Sequence, residues 1–572
     1  MTNAANTAPA ATLLDLADIQ GGILRTYGDG FPKGRNFYLT VRDARRGRAF
    51  IEALRPKITT AARWKDPDRE EPLLRTRNPR VKDIARAEGV PDYPGRVQLL
   101  KPKVTLNIGF TFLGLLALGV PTRTLRGMPD DFIDGMEARA ALLGDDPFLD
   151  KRDAVWRDSK GDKRVHILLT LYAQQNPDGT ACPELDAETD AIVALCNKSK
   201  KGVVLLEGVG PKNAKWQDLS AVMRRDGDRC WPTNKEHFGL SDGFGDPVFS
   251  GQFSGEAERV RVAGGGKLVF DPNDKSYSWE PLATGEFLLG YPDEAQEIPG
   301  AAMPMAFSRN GTFMAYRKLH EDVGAFFAYL DEQATRYAKL HQVPHDEALE
   351  TIKAKMVGRW EDGVPLMAAP DYAAWQQFRA ELDKARAAKD KAKLAEIALK
   401  FTNFSYAPDP VGSKCPVTSH MRRANPRDTL GPTFAANGMS KDGSAIINRR
   451  RILRRGLPYG QYDADAPVDD GDHGIIFMAI CTNLFRQFEF VQQQWMQYGL
   501  DFNAGSDTCP VIGNHPAQDE PKLVIAVDPE AGKLPFICDR IPQLVEPRGG
   551  DYFFLPSMTA LRMIGMGIVD PT

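Results

Sequence analysis

A histidine placed among arginines is the first feature of this sequence with residue types suited to chemistry. The stretch SHMRRANPRD, residues 419–428, puts His420 just before Arg422, Arg423 and Arg427 in a chain that has eight histidines in 572 residues. A neutral imidazole is the commonest protein ligand for zinc, copper and iron. No histidine, cysteine or carboxylate stands two to five residues after His420. A metal bound here would therefore need its other ligands from elsewhere.

Haem is one metal group that needs only a single protein ligand, because its porphyrin supplies four nitrogens. Its two propionates are carboxylates, and an arginine fork is the best partner for a carboxylate. Arg422, Arg423 and Arg427 would suit that role. The alternative is that His420 is a surface or packing residue, which is the commoner place for a histidine beside arginines.

Two further stretches contain residues that could act on a substrate. FGLSDGFGDPVFSGQ, residues 238–252, has four glycines and two aspartates, and Asp242 and Asp246 taken alone are typical turn formers. NRRRILRRGLPYG, residues 448–460, has five arginines within seven residues. Its alternation could send Arg454 inward, although an isolated run of this kind is equally a solvated or anion-binding patch.

Together these three stretches resemble the dye-decolourising peroxidases, a family of haem enzymes built from two ferredoxin-like domains. LSDG, preceded by Gly239, is similar to the family's G-x-x-D-G motif. HMRRANPRD is similar to the segment with its proximal haem histidine, and RILRRGLPYG to the segment with its distal arginine. The resemblance runs from about residue 14 to 562 and is strongest to the longer, non-exported bacterial type. Other segments that follow the family order are DIQGGILRTYG, NIGFTFLGLLALG, RNGTFMAYRKLHEDV, HGIIFMAICTNLFRQFEFVQQQW and RGGDYFFLPS.

The resemblance implies haem b as the cofactor, with His420 as the axial ligand of its iron. It implies that Asp242 carries a proton and that Arg454 stabilises charge when hydrogen peroxide is cleaved. Small aromatic molecules such as phenols and anthraquinone dyes would then be oxidised in one-electron steps. A carboxylic acid with an ordinary pKa of about 4 in the proton-carrying position predicts activity that favours acid conditions.

The remaining cofactor-binding candidates follow from the same resemblance. Arg422 and Arg427 are expected to hold the propionates, and Asp507 is expected to be the carboxylate behind the axial histidine, with Asp501 as its rival. In strand 474–480, Ile476 and Met478 share one face, and Ile475 and Phe477 share the other. The sequence does not say which face lines the pocket, and we take Ile476 and Met478 as the candidates.

Two other functions remain open. Relatives have been proposed to remove iron from haem, which would make the chain a deferrochelatase-like, haem-processing enzyme. A haem-binding protein without turnover is the second alternative. The set of Asp242, Arg454 and His420 argues against mere binding, because storage needs no distal acid.

The composition of the whole chain limits its partners. It is 42% hydrophobic and 26% charged, with a formal net charge of −3 and basic residues spread along its length, so we expect no nucleic-acid partner. The longest apolar stretch, 106–120, is shorter than the roughly 20 residues of a membrane helix, so we expect no membrane partner. The N-terminus lacks the pattern of an export signal, and we expect a cytoplasmic protein. A homo-oligomer is a further option.

Seven cysteines without a C-x-x-C pair argue against zinc clusters and disulfide frameworks. Each cysteine is expected to be a small buried hydrophobe.

The strands and helices that position these residues can be predicted from the sequence pattern. Segments 35–54, 104–119 and 311–338 each change from a strand pattern to a helical one, and the chain looks like two copies of one α+β plan. The resemblance implies two ferredoxin-like domains with antiparallel sheets, arranged like a dimeric α+β barrel, with haem in the C-terminal half. The expected units are 1–235, a connecting segment at 236–310 with the Asp242 loop, and 311–572 with a helical insertion at about 340–405. Within that insertion, residues 370–400 predict an amphipathic helix.

Overall fold

The computed structural model describes most of the chain. The described residues are 14–27, 30–62, 102–253, 256–271, 276–430, 445–462, 471–526 and 534–568. Among the helices of the described residues, none is long and apolar enough to cross a membrane.

The described part of the chain contains fifteen strands, and all pairs between them are antiparallel. In chain order they are β1 (Lys33–Val41), β2 (Val104–Phe110), β3 (Ile167–Ala173), β4 (Val203–Leu205), β5 (Trp216–Ser220), β6 (Met223–Asp226), β7 (Arg229–Pro232), β8 (Lys267–Asp271), β9 (Ser276–Glu280), β10 (Thr312–Glu321), β11 (Leu453–Tyr459), β12 (Gly474–Cys481), β13 (Leu523–Ile525), β14 (Phe536–Cys538) and β15 (Val545–Leu555).

One nine-stranded sheet runs through both halves of the chain. Its order is β11–β12–β10–β15–β2–β3–β1–β4, with β5 paired to β1. The two halves join where β15 meets β2, at the pair Phe554 and Phe110. The predicted α+β class with antiparallel strands is confirmed, whereas the domain boundaries stay a prediction.

Helices alternate with these strands along the chain. In chain order the helices needed here are α1 (Ala44–Leu54), α2 (Asp130–Ala138), α3 (Pro183–Lys198), α4 (Glu256–Gly265), α5 (Val323–His341), α6 (His345–Val357), α7 (Tyr372–Ala387), α8 (Lys391–Lys400), α9 (His420–Ala424) and α10 (Met558–Met566). Shorter helical turns lie at Gly21–Leu24, Phe112–Ala117, Thr122–Leu125, Ala140–Leu143, Ala154–Arg157, Met305–Ser308 and Ala445–Asn448, and two π-helical segments at Phe485–Glu489 and Val491–Met496.

The inner face of the sheet forms a core that links the two halves. Tyr38 of β1 and Tyr316 of β10 both belong to it, and their hydroxyl oxygens lie 2.6 Å apart. On the outer face, Ala479 of β12 packs with Phe488 of the π-helical segment. Burial of an aromatic or aliphatic side chain of this kind contributes about 1.5–3 kcal/mol, so the sheet is a rigid support for the loops at its edges.

Residues 370–400 differ from the expected single helix. They form α7 and α8, with a break in which Lys389 has a φ of 52°. Asp390 then starts α8, because its carboxylate accepts the Lys393 N–H at 3.0 Å. The predicted amphipathic pattern is confirmed, since Trp375 and Phe378 are buried.

Candidate active site

Asp242 and Arg454 form a direct ion pair. Arg454 lies on β11, and its Nη1 donates to the Asp242 Oδ1 at 2.5 Å, while its Nη2 donates to the Phe244 carbonyl at 3.1 Å. The Asp242 side chain is 46% exposed and that of Arg454 is 28% exposed. The pair therefore borders a space that solvent can enter and is not part of the packed core.

Each residue of this ion pair shifts the pKa of the other. Burial alone raises the pKa of Asp242, but the Arg454 guanidinium and the Gly243 N–H outweigh it and hold that pKa below its usual range. The Asp242 carboxylate in turn raises the pKa of Arg454. At neutral pH the site therefore holds a carboxylate that can accept a proton and a guanidinium that cannot give one up.

His420 faces the same pair of charges. Burial is the largest single effect and lowers its pKa, as does Arg454, but Cys509 and Asp242 together outweigh them, so that the net shift of the pKa is upward. The structure thus brings together the three residues that the sequence separates by up to 212 positions. No hydrogen bond of the His420 Nε2 atom occurs within the described residues, so this atom is available as a ligand.

A glycine lets the segment before His420 lie close to α6. Gly358 ends α6 with a φ of 101°, and a Cβ there would stand 3.1 Å from the Met421 Cβ and 3.2 Å from the Ser419 Oγ. Because an L side chain rarely adopts this backbone conformation, glycine allows the close approach. The end of α6 thereby fixes the start of α9, where His420 stands.

The partner of the His420 Nδ1 atom is a cysteine. The Cys509 Sγ lies 3.3 Å from Nδ1, and burial, which raises the pKa of Cys509, is outweighed by the nearby His420 so that the net shift is downward. The prediction that Asp507 fills this role is wrong, because the segment turns Cys509, two residues later, toward the ring. Asp501, the rival candidate, accepts the Trp495 Nε1–H at 2.9 Å instead.

Cys509 is the functional candidate that the sequence analysis missed. All seven cysteines are buried and free, as expected, but this one contacts the candidate ligand. Its place in GSDTCPVIG, two residues after the aspartate that was chosen, was the available signal.

Arg422 and Arg423 are used within the protein. Arg422 forms a buried ion pair with Asp409 at 3.1 Å and donates to the Cys415 carbonyl at 2.6 Å. Arg423 donates to the carbonyls of Trp495 at 2.8 Å and Asp507 at 2.6 Å. The prediction that Arg422 holds a propionate is wrong, because Asp409 and backbone carbonyls already occupy its guanidinium. Both arginines instead fix the segments around His420.

Arg427 belongs to a group of interacting guanidinium groups, all of which except that of Arg454 are buried. We call Arg359, Arg427, Arg451 and Arg454 the arginine cluster. Burial first and the charge of Arg427 second lower the pKa of Arg359 to about 10 and that of Arg451 to about 9. Burial likewise lowers the pKa of Arg427. Several cations in one buried region destabilise each other, so the cluster is suited to binding an anion.

One hydrogen-bond donor of the arginine cluster lacks a partner within the described residues. The Arg359 Nε is buried and has no hydrogen-bond partner within the described residues, whereas its Nη1 donates to the Gly363 and Phe401 carbonyls at 2.8 Å each. The Arg427 Nη1 donates to the Phe404 carbonyl at 2.7 Å. A buried donor without a partner costs about 1–3 kcal/mol, so a carboxylate placed here would relieve that cost.

Ile476 and Met478 lie on the other face of the sheet. Both are buried in the core between the two halves. In the register of β11 and β12, Arg454 pairs with Ala479, which shares its face with Ile475 and Phe477. The predicted alternation is confirmed, but the choice of Ile476 and Met478 as pocket residues is wrong.

Comparison with known proteins identifies relatives of this chain. The chain is 25% identical to Peroxidase 2 of Mycetinis scorodonius over 98% of this chain and 89% of that protein. It is 27% identical to the multifunctional dye peroxidase DyP2 of an Amycolatopsis species over 81% of this chain and 84% of that protein. No family model matches the chain.

Solved structures extend the similarity to the fold. A dye-decolorizing peroxidase in complex with 2,6-dimethoxyphenol is 24% identical and aligns with a TM-score of 0.65 over 97% of this chain and 100% of that chain. An ancestral D-type dye-decolorizing peroxidase is 23% identical and aligns with a TM-score of 0.64 over 96% of this chain and 99% of that chain. The fold that the sequence predicted is confirmed. One of the two curated relatives is fungal and the other bacterial, so the bacterial subgroup stays a prediction.

Proposed function

We infer that this chain, whose curated relatives and structural neighbours are dye-decolorizing peroxidases, is a haem-dependent peroxidase. It reduces hydrogen peroxide and oxidises phenolic or dye-like molecules in one-electron steps. The observation that carries this proposal is the juxtaposition of the Asp242–Arg454 ion pair with the available Nε2 atom of His420.

The described residues fit haem. His420 offers one unengaged imidazole nitrogen, and a single protein ligand is enough because the porphyrin supplies the other four. The arginine cluster offers the unpartnered Arg359 Nε for a propionate. Arg359 and Arg427 would hold the propionates, and His420 would hold the iron. When bound, haem supplies the redox-active iron of the reaction.

Asp242 and Arg454 would act on the peroxide itself. The Asp242 carboxylate accepts the proton of one peroxide oxygen and delivers it to the other, so that the departing oxygen leaves as water and not as hydroxide. The low pKa of Asp242 keeps the carboxylate ready to accept that proton. The Arg454 guanidinium stabilises negative charge on the departing oxygen, and its donors already converge on Asp242.

Cys509 would orient the ligand. Its sulfur, 3.3 Å from the His420 Nδ1, holds the ring and leaves Nε2 as the atom that would bind the iron. A thiol is a weaker acceptor than the carboxylate that often stands behind a ligating histidine. We therefore propose that the axial ligand is less basic in this chain than it would be in a Cys509→Asp variant.

A solved relative crystallised with 2,6-dimethoxyphenol suggests the substrate class for this chain. The test is peroxide-dependent oxidation of 2,6-dimethoxyphenol by the haem-loaded chain, with the Asp242→Asn variant and the haem-free chain as controls. Turnover that requires peroxide, haem and Asp242 supports the proposal. Release of iron-free porphyrin without peroxide would instead identify a haem-processing enzyme, and haem binding without either reaction would identify a carrier.

A further inference from the structure

The loop that contains Asp242 is closed by its own backbone. We call residues 234–242 the distal loop. Asp242 N–H donates to the Asn234 carbonyl at 2.8 Å, and Glu236 N–H donates to the Leu240 carbonyl at 3.1 Å. At its far end, the Ser241 hydroxyl donates to the Glu361 carbonyl at 2.9 Å.

The side chain of Glu236 fills the inside of this loop. Its Oε2 accepts the Phe238 N–H at 2.6 Å, and its Oε1 accepts the Leu240 N–H at 2.9 Å. These bonds fasten the turn that immediately precedes Ser241 and Asp242. The Glu236 carboxyl group therefore supports the stretch of backbone that leads into Asp242.

A second carboxyl group reaches the loop from the core. Glu321 ends β10 and is only 4% exposed, and its Oε2 accepts the His237 N–H at 3.4 Å. His237 and Phe238 are neighbours in the chain, so the carboxyl groups of Glu321 and Glu236, which accept from their N–H groups, lie side by side. Two buried carboxyl groups this close do not both ionise readily, and the one that keeps its proton can donate it to the other.

No lysine or arginine within the described residues forms an ion pair with either carboxyl group; the nearby Lys235 pairs with Glu361 at 3.4 Å instead. Burial is the main reason that the pKa of Glu236 is raised, to about 7, and burial together with the charge of Glu236 raises the pKa of Glu321. Other ionisable groups that interact with the pair are Asp242 of the distal loop and Tyr459 of β11. Beside them, the His473 ring lies 5.3 Å from the ring of His237 and 5.2 Å from that of His320.

We propose that Glu236 and Glu321 are positioning residues for Asp242, because a proton shared by their carboxyl groups fastens the distal loop to strand β10. When the pair releases this proton to solvent, two buried carboxylates repel each other and the loop leaves its place. The inference rests on the proposed function for the role of Asp242 and adds two residues to it.

Two measurements on the haem-loaded full-length chain test this pair. One is the rate of the first reaction with hydrogen peroxide as a function of pH, and the other is the hydrogen-exchange protection of the distal-loop amides. In the wild type we expect the rate and the protection to fall together, by about tenfold or more, as pH rises from about 6 to 9. In Glu321→Gln the side-chain amide donates a hydrogen bond to the Glu236 carboxylate with a proton that does not titrate. The rate and the protection should therefore both persist at high pH.

Two further variants make the result decisive. Glu321→Leu removes the hydrogen bond, so the loop should be weakly protected at every pH. Glu332→Gln is the control, because Glu332 is an exposed glutamate of α5 outside the distal loop, and it should titrate like the wild type. If Glu321→Gln lost rate and amide protection at alkaline pH in the same way as the wild type, the proposal would be wrong.

The outcome is separable from the proposed function. If the chain bound no haem or failed to react with peroxide at about pH 5, where the pair is protonated, the proposed function would fail. The exchange measurement would still report on the carboxyl pair in that case, because the distal-loop amides belong to the chain itself.

Discussion

Arg454 and Asp242 stand 212 positions apart in the chain, yet their side chains meet at an Nη1–Oδ1 distance of 2.5 Å. Strand β11 holds the first and the distal loop holds the second. The contact joins a permanent cation to a carboxylate whose pKa it lowers. Peroxide chemistry needs both a proton acceptor and a charge stabiliser at one place, and we propose that this ion pair supplies them together.

Asp242→Asn should keep the haem absorbance spectrum and slow the first reaction with hydrogen peroxide by a factor on the order of 10²–10⁴, because an amide cannot carry the proton. Stopped-flow absorbance at varied peroxide concentration measures this rate. Asp246→Asn is the matched control, since Asp246 pairs chiefly with Arg455 at 3.1 Å and should retain most of the rate. Equal losses in the two variants would show that Asp242 has no special role.

Arg454→Leu should move the acid limb of the same rate to higher pH. Burial raises the pKa of Asp242 and Arg454 counteracts it, so without the guanidinium the carboxylate form is lost at a higher pH as pH falls. Arg454→Lys keeps a positive charge and should return the limb toward the wild-type position. Rate profiles from about pH 3 to 8 test this, and coincident acid limbs in all three proteins would contradict it.

Arg422→Met should destabilise the chain by about 3–5 kcal/mol, because it leaves the buried Asp409 carboxylate without its cation. Denaturant unfolding of the haem-free chain measures the free energy of unfolding directly. Arg379→Met, at an exposed arginine over the Trp375 ring, should cost less than about 1 kcal/mol. If Arg422→Met left the stability intact and weakened haem binding instead, the propionate role that we reject would be restored.

Cys509→Asp should lower the iron reduction potential of the haem-loaded chain. A carboxylate at the His420 Nδ1 raises the basicity of the ligand and favours the oxidised metal. A spectroelectrochemical titration reads this potential without turnover. Cys509→Ser, which keeps a neutral group of similar size, should stay closer to the wild type. Indistinguishable potentials in the wild type and Cys509→Asp would mean that position 509 does not govern the ligand.

The sequence predicted those strands whose apolar runs are long and regular, such as β1, β2, β10 and β12. Segment 311–338 was expected to change from a strand to a helix, and it contains β10 and most of α5, with the Asp322 carboxylate accepting the Ala325 N–H at 2.9 Å. The break between α7 and α8 was missed. A short polar stretch around Asp390 suits a helix interior about as well as a helix start, so periodicity alone does not reveal the interruption.

The predicted residues of the candidate site came from different kinds of reasoning, and some residues were overlooked. His420, Asp242 and Arg454 came from a resemblance, since no local pattern brings residues of distant segments together. Asp507 and Arg422 were chosen for their charge. The direction of the Asp507 side chain and the partners that already bind Arg422 argue against these roles. Arg359, with its unpartnered Nε, was overlooked because a single arginine at the end of a helix carries no signal. Glu236 and Glu321 were overlooked because their meeting depends on the tertiary fold.

The absorbance spectrum of the haem-loaded chain, recorded before and after one equivalent of hydrogen peroxide, tests the central claim most directly. The wild type should show a haem Soret band that loses intensity and shifts to longer wavelength with peroxide, whereas His420→Ala should retain little haem. His345→Ala, at a histidine on the surface of α6, should behave like the wild type. A wild-type chain without a Soret band, or a His420→Ala variant with full haem content and the same response to peroxide, would contradict the account.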